Sequence, residues 1–348
     1  MDDPKIFINK LKNKYSKQLI ERNHEFIPTG IFPLDIALGG GLREASAIEI
    51  AGGESSGKTT LTIRTVANLM KVFPDQVFVY FDFENVFDWE WAITNGIECD
   101  VTELPDGKKE YTPKGNFVLL QPLNGNAMFE ILDDMFKTEQ LVKGIVIDSL
   151  PAIVFEGEEL TKTSAIAIAS RANSKLARFI SGKLNQNGTF LFIINQIRDG
   201  LDMYGPNITK PGGHAIKHLY SYQIDLKRKK SDIDAKDFDS TVYMSELKMS
   251  KNKFYGDGLK NDIYISRTKG LSLELNITNL LIDLGIIERR GPYYYVKGNE
   301  QGIQGREKTI EYLSKNKSAL IQTYKEYIES IKKPNIPFKY DSYELIFS

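Results

Sequence analysis

Nine consecutive residues, from Gly52 to Thr60, have the composition of a loop that binds phosphate groups. Glycines let the backbone curl so that successive N–H groups point inward, and a helix that begins behind the loop adds the positive end of its dipole. Lys58 is expected to contact the β- and γ-phosphates of a nucleoside triphosphate, and Thr59 to place its hydroxyl on Mg²⁺. The predicted phosphate-binding residues are Gly52, Gly53, Glu54, Ser55, Ser56, Gly57, Lys58, Thr59 and Thr60.

The residues on both sides of the loop predict the elements that must position it. The apolar run 47–51 is typical of a buried strand, and residues 61–70 have the pattern of a helix. A glycine-rich turn that matches by chance is the alternative. It is disfavoured because the strand, the loop and the helix occur together.

Three further predicted strands are followed by polar residues, at the edge where open parallel sheets bind ligands. Asp148 follows a buried strand and suits a second contact to Mg²⁺, although an Asp can also cap a turn through Ser149. Glu84 is expected to accept a proton from the water that attacks the γ-phosphate, or else to be a solvated loop acid. The amide of Gln196 is expected to sense the γ-phosphate, or else to bond the local backbone.

Asp88 and Trp91 lie one turn apart in a predicted helix. Their side chains are candidates to bind the edge and the face of an adenine base. The alternative for Trp91 is a place in the hydrophobic core, which is the commoner role of tryptophan.

Between residues 45 and 268 short apolar strands alternate with helices, which predicts an α/β fold with a mostly parallel sheet covered on both faces. The predicted strands are 47–51, 77–82, 117–120, 144–148, 190–195, 222–227, 243–249 and 262–266, and the predicted helices are 59–72, 88–95, 126–137, 165–186 and 214–220.

The two ends of the chain differ from this middle part. Residues 4–21 carry apolar side chains at helical spacing with lysines between them, which predicts an amphipathic basic helix covered by its own domain or by a neighbouring subunit. Beyond residue 268 we expect a helix near 271–284, a short strand at 293–296 and one or two helices within 306–331. The predicted units are an N-terminal helix and linker (1–28), a core (29–268) and a small α+β domain (269–348).

Composition restricts the classes of function only weakly. Basic and acidic residues nearly cancel, 45 against 46, so no overall field indicates nucleic acid or membrane as a partner. A single cysteine, Cys99, excludes an internal disulfide, and three histidines are too few and too scattered for a cysteine/histidine metal site. With neither a signal-like N-terminus nor an apolar stretch of about 18 residues, we expect a cytoplasmic protein without a membrane span.

Beyond these general signals, a series of short motifs resembles the bacterial RecA recombinases in order and approximate spacing. The resemblance extends over roughly residues 25–315, including the small C-terminal region, and fits both cellular and phage-encoded members. The motifs are residues 52–60, 81–84, 146–149, 194–198, 212–217, 251–253, 284–285 and 293–298.

The resemblance implies a RecA-like P-loop ATPase core that uses ATP and Mg²⁺, forms filaments on single-stranded DNA and pairs it with homologous double-stranded DNA. ATP would lie between subunits, so that Lys251 and Lys253 reach the phosphates bound by a neighbour. Two lysines one residue apart share a face of an extended strand, and cations from outside a site can act like an arginine finger. The basic N-terminal helix would be the polymerisation element, which favours the neighbouring subunit as its cover.

Two segments resemble the DNA-contacting loops of the family. The first spans 156–164 and is followed on a helix by Arg171 and Lys175; the second spans 198–213. A glycine- and proline-rich loop of that length is more often functional than idle. Its candidate DNA contacts, together with the first residue after it, are Arg198, Met203, Tyr204, Gly212, Gly213 and His214.

A second, weaker DNA surface is expected from Lys227, Arg228 and Lys248, with a solvated charge run as the alternative. The chain departs from the family pattern at several points. His214 replaces a DNA-contacting asparagine, and Glu246 stands where a basic residue of the second surface is expected. The arginines near Arg171 are not at the family's offsets, and the strongly acidic C-terminal tail is missing.

Three other functions share parts of this pattern. A hexameric DNA helicase or translocase has the same type of core, but the Lys251/Lys253 pair and the small C-terminal domain favour a recombinase. A DNA-coating or annealing protein with a vestigial nucleotide site is disfavoured by the intact Lys58, Thr59 and Glu84. A metabolic nucleotide kinase would need an acceptor-binding insertion, and none is evident.

Overall fold

The computed structural model describes residues 4–14, 25–137, 141–155, 162–199, 208–209, 213–229, 241–296, 299–316, 318, 321–322, 325–327 and 342–347. Its centre is a sheet of eight strands: β3 (Ala47–Gly52), β4 (Val77–Asp82), β7 (Phe117–Leu120), β8 (Val142–Asp148), β9 (Phe190–Gln196), β12 (Tyr222–Arg228), β13 (Val242–Asn252) and β14 (Lys260–Ser266). Their spatial order is β14-β13-β12-β3-β9-β8-β4-β7. The six strands from β12 to β7 are parallel, and β13 and β14 extend the sheet as antiparallel strands.

Helices cover both faces of this sheet, as strand alternation requires. On β3, Ile48 and Ile50 pack in the cluster that contains the long helix behind the phosphate loop, whereas Ala47 packs in the cluster on the opposite face. Successive side chains of a strand point to opposite faces, so one strand serves both cores. The helices whose bounds lie in the described part of the chain are α1 (Pro4–Lys14), α2 (Phe32–Leu38), α3 (Lys58–Val72), α4 (Trp89–Thr94), α5 (Gly125–Lys137), α6 (Lys162–Asn187), α7 (Gly213–Leu219), α8 (Leu273–Asp283), α9 (Arg306–Lys315) and α10 (Ser342–Phe347).

The predicted α/β class with a mostly parallel sheet is confirmed. All eight predicted strands and all five predicted core helices are present, with ends that differ by a few residues. Elements that were not predicted include the short strands β1 (Phe26–Ile27), β2 (Leu42–Arg43), β10 (Arg198–Asp199) and β11 (Ile208–Thr209), as well as the hairpin formed by β5 (Cys99–Glu103) and β6 (Lys109–Pro113).

The β5–β6 hairpin was missed because its strand residues are mostly exposed and polar, so no sustained apolar alternation signals a strand. The hairpin contacts helix α4 through Lys109 and Tyr111. Lys109 Nζ and Tyr111 OH donate to Glu90 Oε1 at 2.5 and 3.2 Å, and the ring of Tyr111 stacks on Trp89 with centroids 6.0 Å apart. These contacts hold the helix that carries Trp91.

The C-terminal region has its own antiparallel sheet of β15 (Glu288–Arg290), β16 (Tyr293–Val296) and β17 (Asn299–Gln304). Helix α8 packs its Ile277, Leu280 and Leu281 against Phe32 and Ile36 of α2. At the far end, Ile346 of α10 is buried in the same cluster as α3, and Lys71 Nζ donates to its carbonyl oxygen at 3.2 Å. Residues after 269 therefore contact the large α/β unit at two separate places.

Helix α1 covers the first part of the predicted basic helix; residues 15–21 lie outside the described part of the chain. Ile6 and Ile8 are about half exposed, at 53% and 49%. Among the helices that the structure describes, none has the length and apolar character needed to cross a membrane.

Candidate nucleotide-binding site

The candidate phosphate-binding loop joins the end of the buried strand β3 to the first turn of α3. Gly57 precedes α3 with φ of 93°, a conformation that favours glycine, and a Cβ there would lie 2.4 Å from Ile265. Ser56 Oγ and Lys58 Nζ both donate to Gly53 O, at 2.9 and 2.7 Å, which closes the loop on itself. Because Gly57 has no side chain to cap the helix, the first N–H groups of α3 are available to an anion.

Asp148 and Thr59 meet beside this loop. Thr59 Oγ1 donates to Asp148 Oδ2 at 3.2 Å, and Tyr80 OH donates to the same oxygen at 2.5 Å. Burial raises the pKa of Asp148 to about 6, and the charge of Glu84 adds to this, while the hydrogen bonds from Tyr80 and Thr59 oppose it. A buried carboxylate next to a hydroxyl is an oxygen set that suits Mg²⁺, which takes its other ligands from phosphates and water.

Glu84 and Gln196 are brought together from two different strands. Gln196 Nε2 donates to Glu84 Oε1 at 3.1 Å, and Ser149 Oγ donates to the same oxygen. Asp82 shapes the turn that carries Glu84 by accepting the backbone N–H groups of Glu84 and Phe87 at 3.2 and 3.0 Å. The pKa of Lys58 is lowered by burial, while the charges of Asp148, Glu84 and Glu54 oppose this shift.

The other end of the site is a cavity of about 530 Å³. Trp91 lines it, and its Nε1 donates to Thr60 Oγ1 at 3.1 Å. Asp88 Oδ1 accepts the Trp91 N–H at 3.0 Å, so this carboxylate also serves as the N-cap of α4. The cavity is lined by Ser55, Ser56, Gly57, Lys58, Thr59, Thr60, Trp91, Arg228, Tyr243 and Arg267.

Three of these lining residues form a group that the sequence analysis did not predict for this site. The Arg228 guanidinium lies 4.6 Å from the centroid of the Tyr243 ring, and the charges of Arg228 and Arg267 both oppose the upward shift that burial causes in the Tyr243 pKa. Ser245 Oγ donates to Ser56 O at 2.9 Å and ties β13 to the loop. Tyr243 and Arg267 were missed because no linear signal shows which antiparallel strands flank a loop.

The predicted second DNA surface is divided by the sheet. Arg228 belongs to the face of β12 whose Leu226 packs with α3, and it lines the cavity. Lys227 and Lys248 are exposed, and strand alternation puts them on the opposite face, where Glu246 binds Lys229 and Lys260 at 3.5 and 3.2 Å. The expectation that Lys227, Arg228 and Lys248 form one surface is therefore wrong for Arg228, which lies on the other face of the sheet from the two lysines.

Lys251 and Lys253 lie away from the loop of their own chain. Lys251 Nζ donates to Lys217 O at 2.8 Å and Lys253 Nζ to His218 O at 3.2 Å, so both reach the C-terminal carbonyls of α7 from one side. Asn252, between them, pairs with Tyr222 at the start of β12, whereas Gly52 pairs with Leu226 of the same strand. Along β12, the lysine pair and the start of the phosphate loop are therefore four residues apart, a distance of ~13 Å.

The remaining DNA candidates are only partly described. Arg171 and Lys175 are exposed on α6, and Lys175 Nζ lies 4.7 Å from the centroid of the Phe129 ring. Arg198 lies in β10, which pairs with β11, and Gly213 and His214 open α7. Met203, Tyr204, Gly212 and residues 156–161 of the first loop lie outside the described residues.

Comparisons with known proteins relate the chain to one family. A family model described as the RecA N-terminal domain matches residues 7–272. "Protein RecA" of Streptomyces ambofaciens is 34% identical over 298 residues, which cover 84% of this chain and 74% of that protein. "Protein RecA" of Salinispora arenicola is 32% identical over 311 residues, which cover 88% and 83%. "Protein RecA" of Bifidobacterium longum is 33% identical over 303 residues, which cover 85% and 70%.

The family match runs from α1 through the last strand of the large sheet, and so includes every strand that carries the phosphate loop, Asp148, Glu84 and Gln196. On this match, and on relatives above 30% identity over most of its length, the chain belongs to the RecA family.

Proposed function

We infer that this chain is a DNA-dependent ATPase that acts in DNA recombination and repair by strand exchange, with filaments on single-stranded DNA as its working form. The observation that carries the inference is the contact between Glu84 and Gln196 beside the phosphate loop. It joins a candidate general base to a residue at the start of the predicted DNA-binding loop. The family match favours this function over a hexameric helicase.

ATP hydrolysis follows from the groups around the loop. Lys58 and the backbone N–H groups of the loop would hold the β- and γ-phosphates, and Thr59 and Asp148 would hold Mg²⁺, which when bound neutralises the charge that develops on the phosphates. Glu84 would take a proton from the attacking water. The nucleoside end would occupy the cavity beside Trp91, with Arg228 and Arg267 facing it.

Gln196 is proposed to report the γ-phosphate to the DNA-binding loop. Its amide donates to Glu84, and with a triphosphate bound it can donate to a γ-phosphate oxygen instead. The chain runs directly from Gln196 into β10 and residues 200–212. ATP favours DNA binding only if it interacts better with the DNA-competent arrangement, and this exchange of partners supplies that difference.

Self-association is supported by the position of Lys251 and Lys253. They lie at the edge of the sheet opposite the chain's own loop, where they bond the carbonyls of α7. We propose that in the filament they leave these carbonyls and contact the triphosphate of the next subunit. A contact between two different surfaces repeats head to tail and generates a helical polymer, and α1, with Ile6 and Ile8 about half exposed, is proposed to pack on the neighbour. We propose the cytoplasm as the location, since DNA is the substrate.

The function is tested by measuring ATP hydrolysis with and without single-stranded DNA and imaging the same mixtures by electron microscopy. Stimulation by DNA together with helical filaments is the expected result. Closed rings with duplex unwinding would indicate the helicase, and filaments without DNA-stimulated hydrolysis would indicate a DNA-coating protein.

Lys58→Ala is expected to weaken binding of Mg·ATP by about 10- to 100-fold, since a hydrogen bond to a charged group contributes about 1.5–3 kcal/mol. At nucleotide concentrations that saturate the unmodified protein, the variant should not form nucleotide-dependent filaments. Isothermal titration and electron micrographs measure the two effects. Unchanged filament formation would refute the assignment of the phosphate loop.

Arg228→Gln is expected to weaken binding of Mg·ADP and Mg·ATP equally, by about tenfold, because the guanidinium faces the part of the nucleotide that hydrolysis leaves unchanged. The rate at saturating ATP should remain. Lys269→Gln removes an exposed charge two residues from Arg267 without touching the cavity, and serves as the control. Loss of DNA binding with unchanged Mg·ADP affinity would return Arg228 to a DNA surface.

A further inference from the structure

A carboxylate lies in the interior of the large sheet, away from the nucleotide cavity. Glu49, in the middle of β3, is 1% exposed. Its Oε1 accepts a hydrogen bond from Asn195 Nδ2 of β9 at 2.8 Å, and its Oε2 accepts one from Gln223 Nε2 of β12 at 2.7 Å. Strands β9 and β12 flank β3 on its two sides. The side chain of Glu49 therefore links three adjacent strands.

The sheet does not need a carboxylate at this position for its stability. The residues of β3 on the same face as Glu49 are Ala47 and Ala51, which are buried and apolar. Burying a carboxylate is costly even when it is hydrogen-bonded, and apolar side chains of similar volume often stabilise a fold at least as well. What the carboxylate provides is two acceptor oxygens that fix two amide side chains.

One of these amides leads to the catalytic end of the site. Asn195, 0% exposed, accepts the backbone N–H of Gln196 on its Oδ1 at 3.0 Å. Gln196 in turn donates to Glu84. Hydrogen bonds thus link Glu49 to Asn195, Asn195 to the backbone of Gln196, and the side chain of Gln196 to Glu84.

The other amide leads toward the lysine pair. Gln223 is paired with Lys251 in the register of β12 and β13, at a point where the register shifts between Gln223 and Ile224. Burial and the charge of Lys253 lower the pKa of Lys251, and the negative charge of Glu49 opposes them. Glu49 thus lies between Gln196 of its own nucleotide site and a lysine proposed to serve the next one.

We propose that Glu49 is a positioning residue that couples successive nucleotide sites of the filament, by holding Asn195 and Gln223 so that Gln196 and Lys251 act in concert. This inference rests on the proposed function. It predicts that the Glu49 network affects the DNA-stimulated rate of hydrolysis and leaves the affinity for Mg·ADP unchanged, because none of its members lines the cavity and ADP lacks the γ-phosphate that Gln196 is proposed to contact.

Glu49→Gln is the first test. Glutamine offers one acceptor oxygen where glutamate offers two, so one of the two amide donors loses its partner. We expect the DNA-stimulated kcat to fall about tenfold, which corresponds to the free-energy cost of losing one buried hydrogen bond. The affinity for Mg·ADP, measured by isothermal titration, should remain within about twofold, since ADP lacks the γ-phosphate that Gln196 is proposed to contact.

The double variant Glu49→Gln/Asn195→Asp restores every hydrogen bond of the network. The introduced glutamine accepts from Gln223 and donates to the introduced aspartate, which still accepts the N–H of Gln196, and the net charge is unchanged. It should recover most of the DNA-stimulated kcat. Glu44→Gln, which weakens a buried ion pair with Lys143 elsewhere, controls for lost stability alone and should keep full stimulation.

Each outcome bears on the proposal. A single variant with unchanged DNA stimulation overturns it, as does a folded double variant with normal Mg·ADP affinity and no recovery. If the single variant does not fold, the double variant alone decides, with recovered stimulation as the supporting result. An unmodified protein that binds Mg·ATP but shows no DNA-stimulated hydrolysis would instead refute the proposed function, so the two failures are distinguishable.

Discussion

Glu84→Gln is expected to slow ATP hydrolysis by on the order of 10²- to 10⁴-fold, while the variant still binds Mg·ATP and single-stranded DNA. This is the usual contribution of a general base. The carboxamide has the size of the carboxylate, and its oxygen can still accept the hydrogen bonds from Ser149 and Gln196. What it loses is the ability to take a proton from water.

The turn that carries Glu84 is expected to keep its backbone conformation in this variant. The backbone N–H of Glu84 is held by Asp82, which is 2% exposed and also accepts from Gln121 Nε2 at 3.0 Å. The backbone should therefore stay in place when the side chain changes. Single-turnover hydrolysis and DNA binding with ATP measure the two halves of the prediction.

A matched control for this variant is Glu311→Gln, which neutralises an exposed acid of α9 that binds Lys315 and does not line the nucleotide cavity. Its turnover should equal that of the unmodified protein. Near-normal turnover of Glu84→Gln would remove Glu84 from the role of base.

The double variant Lys251→Ala/Lys253→Ala is expected to lose DNA-stimulated hydrolysis by on the order of 10³-fold, as when an arginine finger is removed. Its affinity for Mg·ADP as a free chain should be unchanged, because the two lysines bond the carbonyls of α7 at the opposite edge of the sheet from the loop. Isothermal titration and steady-state hydrolysis with single-stranded DNA measure these effects. A loss of Mg·ADP affinity in the free chain would contradict the assignment to a neighbouring site.

Mixing two inactive variants tests the shared site directly. The lysine variant has an intact Glu84, and Glu84→Gln has intact lysines, so in a random one-to-one filament about one junction in four combines an intact base with an intact lysine pair. The mixture should regain about a quarter of the unmodified rate. A mixture as inactive as its components would show that base and lysines must belong to the same chain.

Much of the core was predictable because its signals are local. Residues 144–147 of β8 and 190–194 of β9 are continuous apolar runs, as expected for strands buried on both faces, and the ends of these strands place Asp148 and Gln196 at one edge. The β5–β6 hairpin was not predictable, since its residues are solvent-exposed and its stability comes from contacts with α4 that lie outside its own sequence. The same holds for α10, which is fixed by the burial of Ile346 in the cluster that contains α3.

The phosphate loop and the polar residues that follow the parallel strands were predictable from the sequence, because spacing along one strand, turn or helix dictates these positions. Strand pairing was needed to show that Arg228 faces the nucleotide cavity while Lys227 faces away, that Tyr243 and Arg267 complete the cavity wall, and that Glu49 joins Asn195 to Gln223. These arrangements depend on which strands pair and in which register, a choice made by the packing of the whole sheet.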